Sequence, residues 1–191
     1  MLVECSAEIA AAAPRLPFYY YHIPVMTGVA VPMTTFLTAA ARRIPNLAGL
    51  KYTANTLHEY QECVALEGGR FDVLYGFDEL LLPALSVGAA GAVGSTFNIA
   101  APLYRRVIDA FAKGDIEAAR AAQLRAVQMI ATIARYPFHP AMKVILGWLG
   151  TPCGRCRPPL PDVSPGDQAT LRAALEAIGF FEWARPGSGV A

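Results

Sequence analysis

Asn46-Leu-Ala-Gly-Leu-Lys-Tyr-Thr53 is an apolar run with one lysine near its end. Pro45 and Asn46 open it and Asn55 follows it, and a short apolar run bounded this way reads as a buried strand. Thr56 to Glu67 reads as the helix that comes next. Lys51 then stands at the C-terminal tip of a strand in a β-α unit, where such folds keep their chemistry. An amine shielded from water there can attack a carbonyl carbon. The competing reading is a lysine that simply stays wet. The chain holds three lysines, Lys51, Lys113 and Lys143, among 16 basic residues. An amine at position 51 therefore runs against the chain's own preference for arginine.

The same rhythm extends to both sides. Phe18-Tyr-Tyr-Tyr-His-Ile23 is rich in strand formers and is closed by Pro24. Alternation puts Tyr19 and Tyr21 on one face and Tyr20 and His22 on the other. Pro32 to Arg43 reads as a helix with proline in its first turn. Phe71 to Tyr75 reads as a third strand, ending at Gly76-Phe-Asp-Glu79. Asp78 and Glu79 open a helix, and the helix dipole alone would explain two carboxylates there. Gly91 to Gly94 reads as a fourth strand, ending in Ser95-Thr-Phe-Asn98, whose small residues allow a close backbone approach. Met1 to Ala13 is helix-like without a convincing N-cap.

Beyond the strands, helices are expected over Pro102 to Lys113, from an Asp115 cap to about Tyr136, and over Pro140 to Trp148. A last helix should run from Ser164-Pro165 to about Ile178, before a frayed tail from Pro186. Ile116, Ala119, Leu124, Val127, Ile130 and Ile133 are the expected packed face of the long helix. The whole chain reads as one domain: a partial helix over 1–13, four β-α units over 14–114, and C-terminal helices with a tail over 115–191.

With 54% hydrophobic residues and a net charge of +1, the chain has ample core material and no basic face for nucleic acid. Leu80 to Tyr104 carries no charge, but its prolines and glycines suit a helix, turn, strand and loop better than a membrane span. Glu4 stands where a secretory leader would be positive, so a cytoplasmic protein is expected. Cys153-Gly-Arg-Cys156 has C-x-x-C spacing, but it lacks a second ligand pair for zinc and sits among prolines.

Strands alternating with helices imply a parallel sheet with right-handed crossovers. Its tips carry Tyr21, Lys51, Gly76 to Glu79 and Gly94 to Thr96. These supply a nucleophilic amine, a proton carrier and polar contacts on one sheet edge.

Tyr19-Tyr-Tyr-His-Ile-Pro24, Gly49-Leu-Lys-Tyr-Thr53, Gly76-Phe-Asp-Glu79 and Gly94-Ser-Thr-Phe-Asn98, in that order, resemble the pyruvate-dependent class I aldolases. That family includes the N-acetylneuraminate lyases and the dihydrodipicolinate synthases, and the lyases are the nearer match. The resemblance implies a TIM (β/α)8 barrel with extra C-terminal helices, usually a homotetramer. It implies that Lys51 forms a Schiff base with the keto carbon of the sialic acid, or with pyruvate in reverse. Tyr21 then moves the proton of the sugar C4 hydroxyl, while Thr53, Gly76, Asp78, Glu79 and Ser95 contact the sugar chain. The products would be pyruvate and N-acetylmannosamine, with no metal or organic cofactor. The synthases carry an arginine two residues after the proline of the tyrosine motif, where this chain has Met26; that departure favours the lyases.

The family needs eight strands in about 250 residues, and four are found, resembling strands five to eight. The chain is therefore expected to lack the N-terminal half of the barrel and its loop for the pyruvate carboxylate. Inward side chains such as Tyr19, Leu50 and Val73 would then lose their facing layers. A regulatory or interaction protein without turnover, and an aldolase for another 2-keto sugar acid, are the alternatives.

Overall fold

A computed structural model describes residues 1–184. The chain divides into two compact units, Met1–Val93 and Gly94 onward. The first unit begins with α1 (Leu2–Ala11), β1 (Phe18–His22), α2 (Pro24–Thr27) and α3 (Met33–Ala41). It continues through β2 (Leu47–Tyr52), α4 (Leu57–Ala65), β3 (Asp72–Tyr75) and α5 (Leu81–Ser86). The three strands form a parallel sheet in the order β1-β2-β3.

Each strand turns one face to the helices. Leu50, Tyr52, Val73 and Tyr75 pack in one buried cluster with Met33, Phe36, Leu37 and Ala40 of α3 and Tyr60 and Cys63 of α4. Fully burying such an apolar side chain is worth about 1.5–3 kcal/mol. This corrects the expected inward set. Leu50 and Val73 lie on the helix-covered face and are buried by this unit's own helices, whereas Tyr19 is on the opposite face and exposed. The register explains it, because Tyr19 pairs with Gly49 and Tyr20 with Leu50. An offset of one residue exchanges the faces.

The expected fourth strand is a single parallel bridge, Tyr75 to Ala92. The Tyr75 N–H donates to the Gly91 carbonyl at 3.0 Å and the Val93 N–H to the Tyr75 carbonyl at 2.8 Å. Glycine holds a strand weakly, and Gly91 and Gly94 flank only two other residues. The sheet therefore has three strands plus a bridge where four β-α units are expected. The helix expected to reach Glu67 stops at Ala65 and passes into a 3-10 turn in which Glu67 has φ 51°. Asn46 ties the segment between α1 and β1 to the start of β2: its side-chain amide donates to the carbonyls of Ala13 at 3.3 Å and Leu16 at 2.8 Å.

The second unit is helical: α6 (Phe97–Ala112), α7 (Ile116–Ile133), α8 (Phe138–Trp148), α9 (Pro165–Ala177) and α10 (Phe180–Trp183). Asp115 caps α7 through the Ala118 N–H, and Ser164 caps α9 through the Asp167 N–H. α6 starts at Phe97 instead of Pro102. It contains the proline by breaking at Ala100, with φ −144°, because proline lacks an N–H and its ring crowds the carbonyl four residues before. The buried stripe of α7 runs through Ala119, Ala122, Ala126, Met129, Ile130 and Ile133, while Ile116 and Leu124 are exposed. Alanines, not the larger residues, carry much of that face. Among the described residues no helix is long and apolar enough to cross a membrane. The tail from Pro186 lies outside the described residues.

Candidate active site

Parallel pairing builds the site. β1 and β2 pair Tyr21 with Lys51 and His22 with Tyr52, and β2 and β3 pair Lys51 with Leu74 and Tyr52 with Tyr75. Side chains alternate along each strand, so Tyr21, Lys51 and Leu74 share the face away from α3 and α4. The ladder continues past the strand ends. The Thr53 N–H donates to the His22 carbonyl and the Gly76 N–H to the Tyr52 carbonyl, each at 2.8 Å.

Lys51 is half-buried, and its Nζ lies 4.1 Å from the centroid of the Tyr21 ring. Among the described residues no carboxylate forms an ion pair with it. The negative face of the ring therefore meets the ammonium without quenching its charge. Gly76 closes over the lysine stem. A Cβ on Gly76 would come within 2.0 Å of Thr53 Oγ1 and 2.8 Å of Lys51 Cε. Thr53 Oγ1 is itself buried and makes no hydrogen bond. A hydroxyl in that state costs about 1–3 kcal/mol. An amine, a phenol and a hydroxyl thus converge, as nucleophilic and proton-transfer chemistry at a carbonyl needs.

Asp78 and Glu79 begin a 3-10 turn, Asp78 to Leu80, that leads into α5. Asp78 is buried and Glu79 half-buried. Burial, with a smaller push from Asp78, raises the Glu79 carboxyl above its ordinary range. Burial and the Glu79 charge together raise the Tyr75 phenol to about 12. Ser95 belongs to the second unit, where it is exposed and its carbonyl accepts from the Asn98 side chain at 2.9 Å. Lys51, Tyr21, Thr53 and Gly76 are therefore gathered at the tips of β1 to β3, with Asp78 and Glu79 two and three residues beyond Gly76.

The opposite face is an aromatic slab. His22 packs on Tyr52 with ring centroids 5.0 Å apart, and Tyr60 meets Tyr52 and Tyr75 edge-on. The Tyr52 hydroxyl donates to Glu59 Oε2 at 2.6 Å, and Glu59 Oε1 accepts from the Met33 N–H at 2.7 Å. The Tyr75 hydroxyl donates to the Ala54 carbonyl at 3.1 Å. Each tip residue on the lysine face is thus backed by a fixed aromatic neighbour. Sequence reasoning passed over Glu59 and Asp72. Asp72 accepts from the Tyr19 hydroxyl at 2.7 Å across Gly49, where any Cβ would strike the Asp72 backbone. The register between strands sets Asp72 on the Tyr19 face, and the contact of Glu59 spans 26 residues to Met33; neither leaves a local pattern.

The family model described as the dihydrodipicolinate synthetase family matches residues 3–178. The chain is 36% identical over 185 residues to the N-acetylneuraminate lyase of Rattus norvegicus, covering 95% of this chain and 58% of that protein. The chain thus spans little more than half the length of the curated relatives it matches. Among solved structures, the N-acetylneuraminate lyase (sialic acid aldolase) of Aliivibrio salmonicida superposes with a TM-score of 0.90 at 42% identity, over 94% of this chain and 59% of that one. A catalytic lysine mutant of the Ruminococcus gnavus sialic acid aldolase superposes with a TM-score of 0.84 at 27% identity, over 93% and 58%.

Proposed function

Because this chain belongs to the dihydrodipicolinate synthetase family, we propose that it carries the lysine site of a class I aldolase of the N-acetylneuraminate lyase type. The observation that carries this reading is the half-buried Lys51 amine, with no carboxylate ion-pair partner among the described residues, 4.1 Å from the Tyr21 ring centroid at adjacent strand tips. The named relatives support it, and the sialic acid aldolase of Ruminococcus gnavus has a catalytic lysine.

In this reading the Lys51 amine attacks the keto carbon of open-chain N-acetylneuraminate. Water leaves and a protonated imine remains. The C3–C4 bond then breaks, and its electrons move into the imine to give an enamine, while Tyr21 takes the C4 hydroxyl proton and hands its own phenolic proton on toward the enamine carbon. Protonation of the enamine and hydrolysis of the imine release pyruvate and restore the lysine; the other product is N-acetylmannosamine. The chemistry is carried by side chains alone. Thr53 offers a hydroxyl beside the lysine stem, and Gly76 leaves room for it. Asp78 and Glu79 receive the hydroxylated tail of the sugar, and Ser95 joins the set through its motif. Met26, 77% exposed just beyond Tyr21, supplies no charge for a second carboxylate, which fits a lyase better than a synthase. The family resemblance extends the reading to a homo-oligomer, a homotetramer in its fullest form, measurable by light scattering.

Borohydride trapping tests the assignment. The 191-residue chain, incubated with pyruvate and reduced, should gain the mass of one reduced pyruvate adduct on the peptide that holds Lys51. An adduct on Lys113 or Lys143 instead would overturn it. Pyruvate release from N-acetylneuraminate by the purified chain tests turnover. Trapping without turnover would favour a binding or regulatory role, and turnover with another 2-keto sugar acid alone would move the substrate.

A further inference from the structure

Thr56-Leu-His-Glu59 opens α4 in the pattern of a capping box, in which the glutamate turns back to the start of its own helix. The structure directs this carboxylate to two other elements instead. Glu59 Oε1 accepts from the Met33 N–H at 2.7 Å and Oε2 from the Tyr52 hydroxyl at 2.6 Å. The Thr56 side chain makes no cap hydrogen bond.

Both contacts lie on the helix-covered side of the strands that carry Tyr21 and Lys51. Met33 begins α3, whose N-cap is Pro32 and whose first turn has no side-chain cap and no acidic residue of its own. The unpaired N–H groups and positive end of such a helix favour an anion, and Glu59 supplies it from 26 residues away. Tyr52 follows Lys51, and the His22 ring that follows Tyr21 packs on Tyr52 with centroids 5.0 Å apart. The buried His22 Nδ1 makes no hydrogen bond among the described residues. The backbone carbonyls of His22 and Tyr52 accept from the Thr53 and Gly76 N–H groups at the strand ends. One carboxylate thus ties the start of α3 to the residues next to both Tyr21 and Lys51.

We propose that Glu59 is a positioning residue: through Tyr52 and the start of α3 it fixes the tips of β1 and β2, and with them the approach of Lys51 to Tyr21. The consequence for catalysis rests on the aldolase reading; the anchoring does not. The two hydrogen bonds carry the role, not the charge. In Glu59→Gln the amide oxygen accepts from the Met33 N–H, and the amide N–H donates to the Tyr52 oxygen. The Tyr52 proton then turns to the Thr56 carbonyl, 3.2 Å away. Glu59→Asp keeps the charge, but it is one methylene shorter and reaches only one of the two partners.

Residue-resolved amide hydrogen exchange and borohydride trapping with pyruvate, on the whole chain and both variants, test this. In Glu59→Asp the Met33, Thr53 and Gly76 amides should lose protection. Phe18, whose N–H donates to the Asn46 carbonyl at 2.8 Å at the far end of the same strands, should keep it. Trapping at Lys51 should slow by up to about 100-fold, the cost of a misplacement of about 1 Å. Glu59→Gln should exchange and trap like the unaltered chain. An equal loss of protection at Phe18 would reduce Glu59 to a contributor to global stability and overturn the proposal. So would unimpaired trapping in Glu59→Asp, or a Glu59→Gln that unfolds or fails as Glu59→Asp does. If the unaltered chain traps no pyruvate, the aldolase reading falls, and the exchange pattern alone decides whether Glu59 anchors the strand tips.

Discussion

Tyr21 and Lys51 face each other across neighbouring parallel strands, with the lysine nitrogen 4.1 Å from the centre of the tyrosine ring. The ring and its hydroxyl have separable parts in the proposed chemistry. Tyr21→Phe keeps the ring over the ammonium and removes only the proton carrier. Pyruvate trapping at position 51 should persist in that variant. Cleavage of N-acetylneuraminate should fall about 100- to 10,000-fold, the usual worth of a positioned acid or base. Rapid-quench trapping beside steady-state pyruvate release separates the two.

Gly76→Ala should damage the site and the fold together. Its Cβ would lie 2.0 Å from Thr53 Oγ1 and 2.8 Å from Lys51 Cε. Both atoms belong to side chains that can give way, so the cost should be about 1–3 kcal/mol, with slower adduct formation. Gly49→Ala should be worse, about 3 kcal/mol or more, because its Cβ would meet the Asp72 backbone carbonyl at 1.7 Å. Urea denaturation of the two variants side by side tests the order. A milder Gly49→Ala would mean that β2 and β3 can slide apart.

The Glu79 carboxyl is held above its ordinary range mainly by burial. The folded chain then binds this proton more tightly than the unfolded chain does. The stability so gained is fully present below the unfolded value, about 4.5, and is lost as pH rises through the folded value. Glu79→Gln should therefore raise the melting temperature at neutral pH and flatten the acid side of the stability profile. Glu79→Ala should weaken sugar binding more than pyruvate binding. Equal losses of both, in step with a falling melting temperature, would leave Glu79 only a structural part.

His22 works in the opposite direction. Burial lowers its imidazole below the ordinary 6.5, against the pull of Glu59. Protonation then favours the unfolded chain, and stability present above about pH 6.5 should decline as pH falls through the folded value. Denaturant melts between pH 5 and 8 should show this decline, and His22→Gln should reduce it.

Removing the Tyr52 hydroxyl leaves Glu59 Oε2 without its donor inside the aromatic slab. Tyr52→Phe should cost about 1–3 kcal/mol, read from the midpoint of urea unfolding. A loss below that range would mean that the Met33 N–H alone satisfies the carboxylate.

The repeated pairing of a short apolar run with a helix, and the residue at each strand tip, were determined by the sequence alone. Strand and helix periods are local, and Pro24, Gly114 and the caps Asp115 and Ser164 mark their own boundaries. The tyrosine and lysine motifs could be read in the same way. Only tertiary packing decided the rest. Register is a relation between strands, so no single segment could say that Tyr19 shares a face with Asp72 while Leu50 and Val73 meet the helices. Gly91 to Gly94 has strand-like composition, yet glycine gives little to pack, and pairing with Tyr75 left only a bridge. In α7 the larger residues Ile116 and Leu124 suggested one stripe, but close helix packing selected the alanines. The reach of Glu59 to Met33 and of Tyr19 to Asp72 joins distant residues through space, where local periodicity carries no information.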